Sequence, residues 1–208
     1  MPDLIVRTSP LDPRAEILVE GLIAEYDGRY GANSRPGGAR SELMRYPAEA
    51  FAPPLGEFIL LRRGDETIAG GAFMSHDDET VELKRIWTRE DMRRQGLARR
   101  IVAALEDAAA ALGYVRAYLT TGFRQPEATN LYRSLGYRPL FDMSVEPELY
   151  RSLPFEKSIG TRAGTTPATP IHPPAASFAE ASARVAAIKA EQETRIALRL
   201  AALRSDAA

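Results

Sequence analysis

The sequence contains no cysteine, which excludes disulfides, thiolate metal sites and a cysteine nucleophile. It contains only two histidines, His76 and His172, so no Ser-His-Asp set is recognisable. His76 falls beside Asp77, Asp78 and Glu79 in one short polar run with no second group of ligands elsewhere. A solvated turn is expected there rather than a metal site. His172 lies in a Pro-rich stretch and is expected to be exposed. An excess of basic charge is also missing. With 27 Lys and Arg against 28 Asp and Glu, the formal net charge is -1, and no global field draws the chain to nucleic acid. No apolar run approaches the length needed to span a membrane, and residues 1–13 hold no apolar signal core. A cytoplasmic protein without membrane or nucleic-acid partners is the expectation. What remains is ordinary: 208 residues, 45% hydrophobic and 26% charged, enough for one domain with a sizeable core and some extra structure.

The stretch that organises the chain runs from Val81 to Arg100. Leu83, Ile86 and Trp87 among polar residues predict a strand, with a bulge near Arg85–Ile86. Simple alternation puts Glu82, Lys84 and Ile86 on one face and Leu83, Arg85 and Trp87 on the other. Arg93, Arg94, Gln95, Gly96, Leu97 and Ala98 follow, and then a helical pattern begins. A strand feeding a helix N-terminus through such a loop suits a polyphosphate. The first-turn N–H groups lack partners, the helix dipole favours negative charge, and Gly96 and Ala98 let the backbone come close. A plain strand-to-helix turn rich in surface arginines is the competing reading.

Elsewhere, residues 4–7 predict a first strand. Asp12-Pro13 fits a helix cap followed by proline at the first helical position, and the helix runs to Gly28 or Gly31. Residues 31–41 are Gly-rich loop without a preceding strand, either a wall over a site or a connector. A short helix from Ser41 to about Tyr46 precedes Pro53-Pro54. Residues 58–62 and 67–74 form a hairpin about Gly64-Asp65, with Gly70-Gly71 marking a bulge or a close backbone approach. The helix after the loop carries Leu97, Ile101, Leu105 and Ala108 on one face and stops at Gly113. Residues 115–119 make the next strand, so the pair around this helix is parallel and right-handed. A second helix starts at Pro126 and stops at Gly136. Residues 137–143 and 155–159 read as closing strands.

At Gly160 the composition changes. Residues 160–176 are rich in Pro, Thr, Ala and Gly and read as a flexible, extended linker. Ser177 and Glu180 then form a capping box, and residues 178–204 are strongly helical. Val185, Ile188, Ile196, Leu200 and Leu203 lie near one face, interrupted by Gln192. Such a stripe needs a cover, which its own domain, a second copy in a homodimer, or another protein can supply; a frayed tail is the bland alternative.

Taken together, these pieces resemble the GNAT superfamily of N-acetyltransferases over roughly residues 3–160. The acyl-CoA loop pattern of that family, Arg or Gln, two residues, Gly, one residue, Gly or Ala, is met by Arg93, Gly96 and Ala98. The later helix, Gln125 through Leu131-Tyr132 to Gly136-Tyr137, matches a second motif in the right order. The fold implied is a mixed α/β one: a mostly antiparallel central sheet with a splayed parallel strand pair, flanking helices, and here a tethered C-terminal helix. Residues 1–159 would be the acetyltransferase domain, 160–176 the linker and 177–208 the helix.

The resemblance also implies an activity. Acetyl-CoA would lie between the splayed strands, its pantetheine paired with main-chain groups along Ile86, Trp87 and Thr88. The N–H groups of Arg94 through Arg99 would cradle the diphosphate. An amine of a small molecule or a protein would attack the thioester directly, and Tyr132 would protonate the departing thiolate. Where the family often has Asn, this chain has Gln125, whose amide would still reach CoA. Arg99 and Arg100 would extend phosphate contact or face solvent. Thr120 stands where some members carry a glutamate base. Glu82 is then the remaining carboxylate that would take the ammonium proton, directly or through water, unless it is only an ion-pair partner of Lys84. The missing glutamate and the tethered helix leave a second reading open: a non-catalytic acyl-CoA sensor or interaction module.

Overall fold

The computed structural model describes residues 2–32 and 37–206. Part of the Gly-rich 31–41 segment therefore lies outside the described residues. One seven-stranded sheet runs in the order β1-β2-β3-β4-β5-β7-β6. Its strands are β1 (Asp3–Thr8), β2 (Gly56–Arg63), β3 (Glu66–Ser75), β4 (Thr80–Thr88), β5 (Arg116–Gly122), β6 (Arg138–Pro139) and β7 (Ser152–Ser158). Only β4 and β5 pair in parallel; every other neighbour is antiparallel. The helices are α1 (Glu16–Tyr30), α2 (Gly38–Leu43), α3 (Leu97–Ala111), α4 (Pro126–Ser134) and α5 (Phe178–Asp206). This is the mixed sheet with one parallel pair, flanking helices and a C-terminal helix that the sequence led us to expect.

The local signals explain most boundaries. Asp12 accepts the Arg14 N–H at 2.8 Å, and Pro13 starts the turn that leads into α1. Gly113 and Gly136 end α3 and α4 with φ of 93° and 84°, where a side chain would be strained. In the middle of β3, a Cβ on Gly70 would come within 2.8 Å of the Ile59 carbonyl, so the sheet tolerates no side chain there.

The sheet separates two cores. On one face Leu83, Leu97, Ile101, Leu105, Leu119 and Phe155 pack under α3 and α4. On the other, Leu18, Leu22, Leu43, Phe51, Phe58 and Trp87 pack under α1 and α2, joined by Ile196 and Leu200 of α5. The C-terminal part of the apolar stripe, Ile196 and Leu200 with Leu203 against them, is thus covered by its own chain, while Ile188 stays exposed. Two fully or nearly buried aliphatic side chains contribute roughly 3–6 kcal/mol as an upper estimate, enough to hold a helix down.

Several expectations need correction. The segment 160–176 is pinned along its length: the His172 N–H donates to Leu140 O at 2.7 Å, Ala175 N–H to Leu149 O at 2.9 Å, and Thr169 Oγ1 to Glu156 at 2.6 Å. His172 is therefore half-buried rather than exposed. The short helix occupies 38–43, earlier than Ser41–Tyr46, because Pro47 disfavours helical backbone at Tyr46. Residues 137–143 yield only a two-residue strand. Pro139 lacks an N–H, and the Asp142 side chain draws Ser144 into a turn at 2.9 Å. The final strand begins at Ser152, earlier than Phe155.

Candidate active site

The bulge sits where the sequence put it. Gly70 and Ala72 of β3 face Trp87 and Lys84 of β4, so Arg85 and Ile86 together oppose Gly71. Arg85 takes φ 59° there. The extra residue shifts the alternation, which corrects the simple pattern. Ile86 turns to the α3 face beside Ile101, while Arg85 and Trp87 join Glu82 and Lys84 on the α1 face. Arg85 donates to the Leu43 carbonyl and lies 4.2 Å from the Phe51 ring centroid. Burial pulls its guanidinium down to about 10.

The β4–β5 ladder runs only from Thr80↔Arg116 to Leu83↔Leu119. Past it, β4 continues to Thr88 and β5 to Gly122, with β5 paired there to β7 alone. The two strands therefore part with main-chain edges facing a cleft, and Ile86, Trp87 and Thr88 lie on the β4 edge. The Thr88 hydroxyl is buried without a partner. Beyond Arg89 the chain makes one tight turn and reaches Gly96, whose φ of 75° caps α3. Arg94 is also left-handed, at 62°. Among the described residues no acceptor faces the backbone N–H groups from Arg94 through Arg99, and a Cβ on Gly96 would meet open space. A run of free amides at the positive end of a 15-residue helix fits a diphosphate.

Several side chains of this loop are already engaged. Arg93 pairs with Glu25 at 3.0 Å, Arg99 donates to Ser134 at 3.0 Å, and Gln95 leans on Met92. Arg100 pairs with Asp3. Leu97 is core, and Ala98 leaves the first turn uncrowded. Gln125 turns its amide oxygen back onto the Gly122 N–H at 2.9 Å and the Thr121 hydroxyl at 3.1 Å, which fixes the β5–α4 turn.

The cleft opens into a cavity of about 1020 Å³ on whose wall Ile86, Thr120, Gln125, Tyr132 and Glu82 all appear. Tyr132 projects from α4 and packs its ring against Tyr137 and Phe155, at 5.7 and 6.0 Å. Burial pushes its phenol above the ordinary tyrosine value, so it holds its proton at neutral pH. It is at once a core aromatic and a cavity residue.

Glu82 is 2% exposed, not a surface carboxylate. One oxygen accepts Lys84 Nζ at 2.8 Å, and the other accepts Gln192 Nε2 from α5. The Gln192 oxygen in turn accepts the Tyr46 hydroxyl at 2.9 Å, and its nitrogen lies 3.3 Å from His76 Nδ1. The His76 ring lies tilted on Tyr118 at 4.8 Å, and burial lowers its pKa; because an amide nitrogen only donates, Nδ1 is the acceptor of the Gln192 pair. Sequence reasoning found Glu82 and Lys84 but missed Tyr46 and Gln192. The available signal for Gln192 was its place inside an otherwise apolar stripe.

Comparison with known proteins agrees with this geometry. The acetyltransferase (GNAT) family model matches residues 22–137, more than half of the chain. An acetyltransferase from Thermus thermophilus is 21% identical, with TM-score 0.55, over 76% of this chain and 98% of its own. The PaiA N-acetyltransferase from Thermoplasma acidophilum, solved with coenzyme A, is 13% identical with TM-score 0.58, over 76% and 99%. A GNAT family acetyltransferase from Elizabethkingia anophelis with acetyl-CoA bound is 17% identical with TM-score 0.52, over 76% and 98%. No protein of curated function matches the chain. Among the described residues no helix is long and apolar enough to cross a membrane.

Proposed function

The chain belongs to the GNAT acetyltransferase family, an acyl-CoA-dependent acyltransferase with acetyl-CoA as cosubstrate, and from that premise we propose that it moves an acetyl group to the amine of a small molecule by direct attack. In this reading residues 1–159 are the catalytic domain, 160–176 a strap and 177–208 the helix that completes the acceptor side. The observations that carry it are the open edge between β4 and β5, the unpartnered amides at 94–99, and a cavity lined by Ile86, Tyr132 and Glu82. A small acceptor is favoured over a protein side chain because Glu82 lies buried at the cavity wall under α5.

The residues then divide the work. The N–H groups of Arg94 through Arg99 bind the diphosphate, with Gly96 giving it room, and the β4 edge at 86–88 aligns the pantetheine amides. Glu82 takes one proton from the incoming ammonium. The neutral amine attacks the thioester carbon; the C–N bond forms and the C–S bond breaks. Tyr132 gives its proton to the departing sulfur, and the proton shed by the acylated nitrogen restores the phenol. The raised phenol pKa keeps Tyr132 protonated for that step.

Free-thiol release from acetyl-CoA, measured over a panel of small amines and lysine peptides, tests the proposal. Turnover with small amines and little with peptides is expected. Absence of both turnover and acetyl-CoA binding overturns it, and tight binding without turnover favours the sensor reading instead.

A further inference from the structure

The family match ends at residue 137, yet the carboxylate best placed to act as base is held from residue 192. α5 crosses the α1 face of the sheet and is tied there at several points. Lys189 pairs with Glu42, Glu193 with Arg45, and Arg199 with Asp78, while Arg195 donates to the His76 carbonyl at 2.6 Å. Between these ties and the buried Ile196, Gln192 is itself 5% exposed and spends both ends of its amide on the site. A glutamine in an apolar stripe loses packing and must be desolvated, so its hydrogen bonds carry the reason for its presence.

We propose that α5 is a wall of the acceptor site and that Gln192 is a positioning residue, holding the Glu82 carboxylate fixed in direction for the incoming ammonium. This rests on the reading of Glu82 as the base. The geometry is one-directional. The carboxylate only accepts, so the amide turns its N–H groups to Glu82 and His76 and leaves its oxygen to accept from the Tyr46 hydroxyl. The amide is therefore a fixed donor rather than a group free to flip. Lys84 holds the other carboxylate oxygen and lies 5.0 Å from the Tyr46 ring, so the two donors and the phenol lock one another. The groups that face Glu82 are then Lys84 from its own strand, His76 from the β3–β4 turn, Tyr118 from β5, Tyr46 from the segment after α2, and Gln192 from α5. Burial disfavours charge on His76 and on both phenols, so Gln192 and Lys84 are the donors that hold the carboxylate. Glu42 lies nearby but is neutralised by Lys189 and Arg45.

Removing the amide leaves the carboxylate with one donor in a buried place, which favours its protonated form. Placing a second carboxylate there favours it more. The Glu82 carboxyl, assigned against a Glu82→Gln sample, is titrated by carbon-detected NMR in the full chain. Gln192→Leu should raise its midpoint, and Gln192→Glu should raise it more. Tyr46→Phe, which only frees the glutamine, should raise it less than either. In turnover the acidic limb of kcat/KM for the amine should move in the same order, with KM for acetyl-CoA unchanged. A Glu82 midpoint that is the same in wild type, Gln192→Leu and Tyr46→Phe overturns the positioning role, even where the wild type acetylates amines. The expected order in a wild type that acetylates nothing sustains the positioning role and refutes the transferase reading alone.

Discussion

Two glycines cap opposite ends of α3, and together they isolate what the phosphate loop does. Gly96 stands before the helix with φ 75°, and Gly113 after it with φ 93°. A Cβ at either would meet nothing within 4 Å. Alanine at each position therefore imposes the same kind of penalty, a left-handed backbone on a residue with a side chain, of about 1–2 kcal/mol. In a chain of this size that lowers Tm by roughly 2–8 °C. The two variants should melt alike.

They should not bind alike. At Gly96 the open space is the place assigned to a diphosphate, and a methyl group there displaces it from the amides of 94–99. Losing one or two hydrogen bonds to a charged group, at about 1.5 kcal/mol each, weakens acetyl-CoA binding roughly 10- to 100-fold. Gly113→Ala should bind as the wild type does. Gly96→Glu, which adds a negative charge, should abolish binding. Titration calorimetry with acetyl-CoA reads all three. If Gly96→Ala keeps the affinity of Gly113→Ala, the diphosphate lies elsewhere and the free amides have another purpose.

Three further outcomes follow from the same geometry. Tyr132→Phe should preserve the ring packing on Tyr137 and Phe155, and so the Tm, while kcat falls about 100-fold or more with KM for acetyl-CoA little changed; an unaltered kcat removes the phenol from the reaction. Burial raises the Tyr132 and Tyr137 phenols, so the folded state holds those protons more tightly than the unfolded chain, whose tyrosines ionise near about 10. Their contribution to stability is complete below that pH and is lost above it, at about 1.4 kcal/mol per group per pH unit. Urea denaturation should show lower stability at pH 11 than at pH 9, with phenolate absorbance lagging in the native protein; all 8 tyrosines ionising together near pH 10 in the folded state would contradict it. Ile196→Ala should cost about 2–4 kcal/mol and speed amide exchange along α5 before the sheet, because Ile196 is 2% exposed at its docking face. Uniform exchange protection in that variant would mean the helix is held by its ion pairs instead.

Much of the sheet was legible because its signals are local. The hairpin glycines, the Asp12-Pro13 start, the stops at Gly113 and Gly136, and the polar–apolar rhythm of β4 each act within a few residues. The misreadings came from contacts distant in sequence. Residues 160–176 have the composition of a free tether, yet their backbone finds partners at Leu140, Leu149 and Glu156, which no local pattern announces. The face assignments beyond Lys84 failed for a narrower reason. A bulge was anticipated, but its effect on parity was not carried through, and one added residue exchanges the faces of Arg85, Ile86 and Trp87.

The candidate site divides in the same way. The loop at 93–98 and Tyr132 are read from short motifs, whereas the surroundings of Glu82 come from four separate elements. Gln192 shows what a sequence can still signal there. An amphipathic helix docked only for stability gains most from an aliphatic residue at the centre of its stripe, and here that position is glutamine. The departure is intelligible once the helix is seen to end its stripe on a carboxylate. An aliphatic side chain at 192 would pack, but would leave a Glu82 oxygen buried without a donor, at a cost of the order of 1–3 kcal/mol. A polar residue inside an apolar stripe is thus a statement about what lies opposite it. In this chain what lies opposite is Glu82, a strand carboxylate on the wall of the cavity.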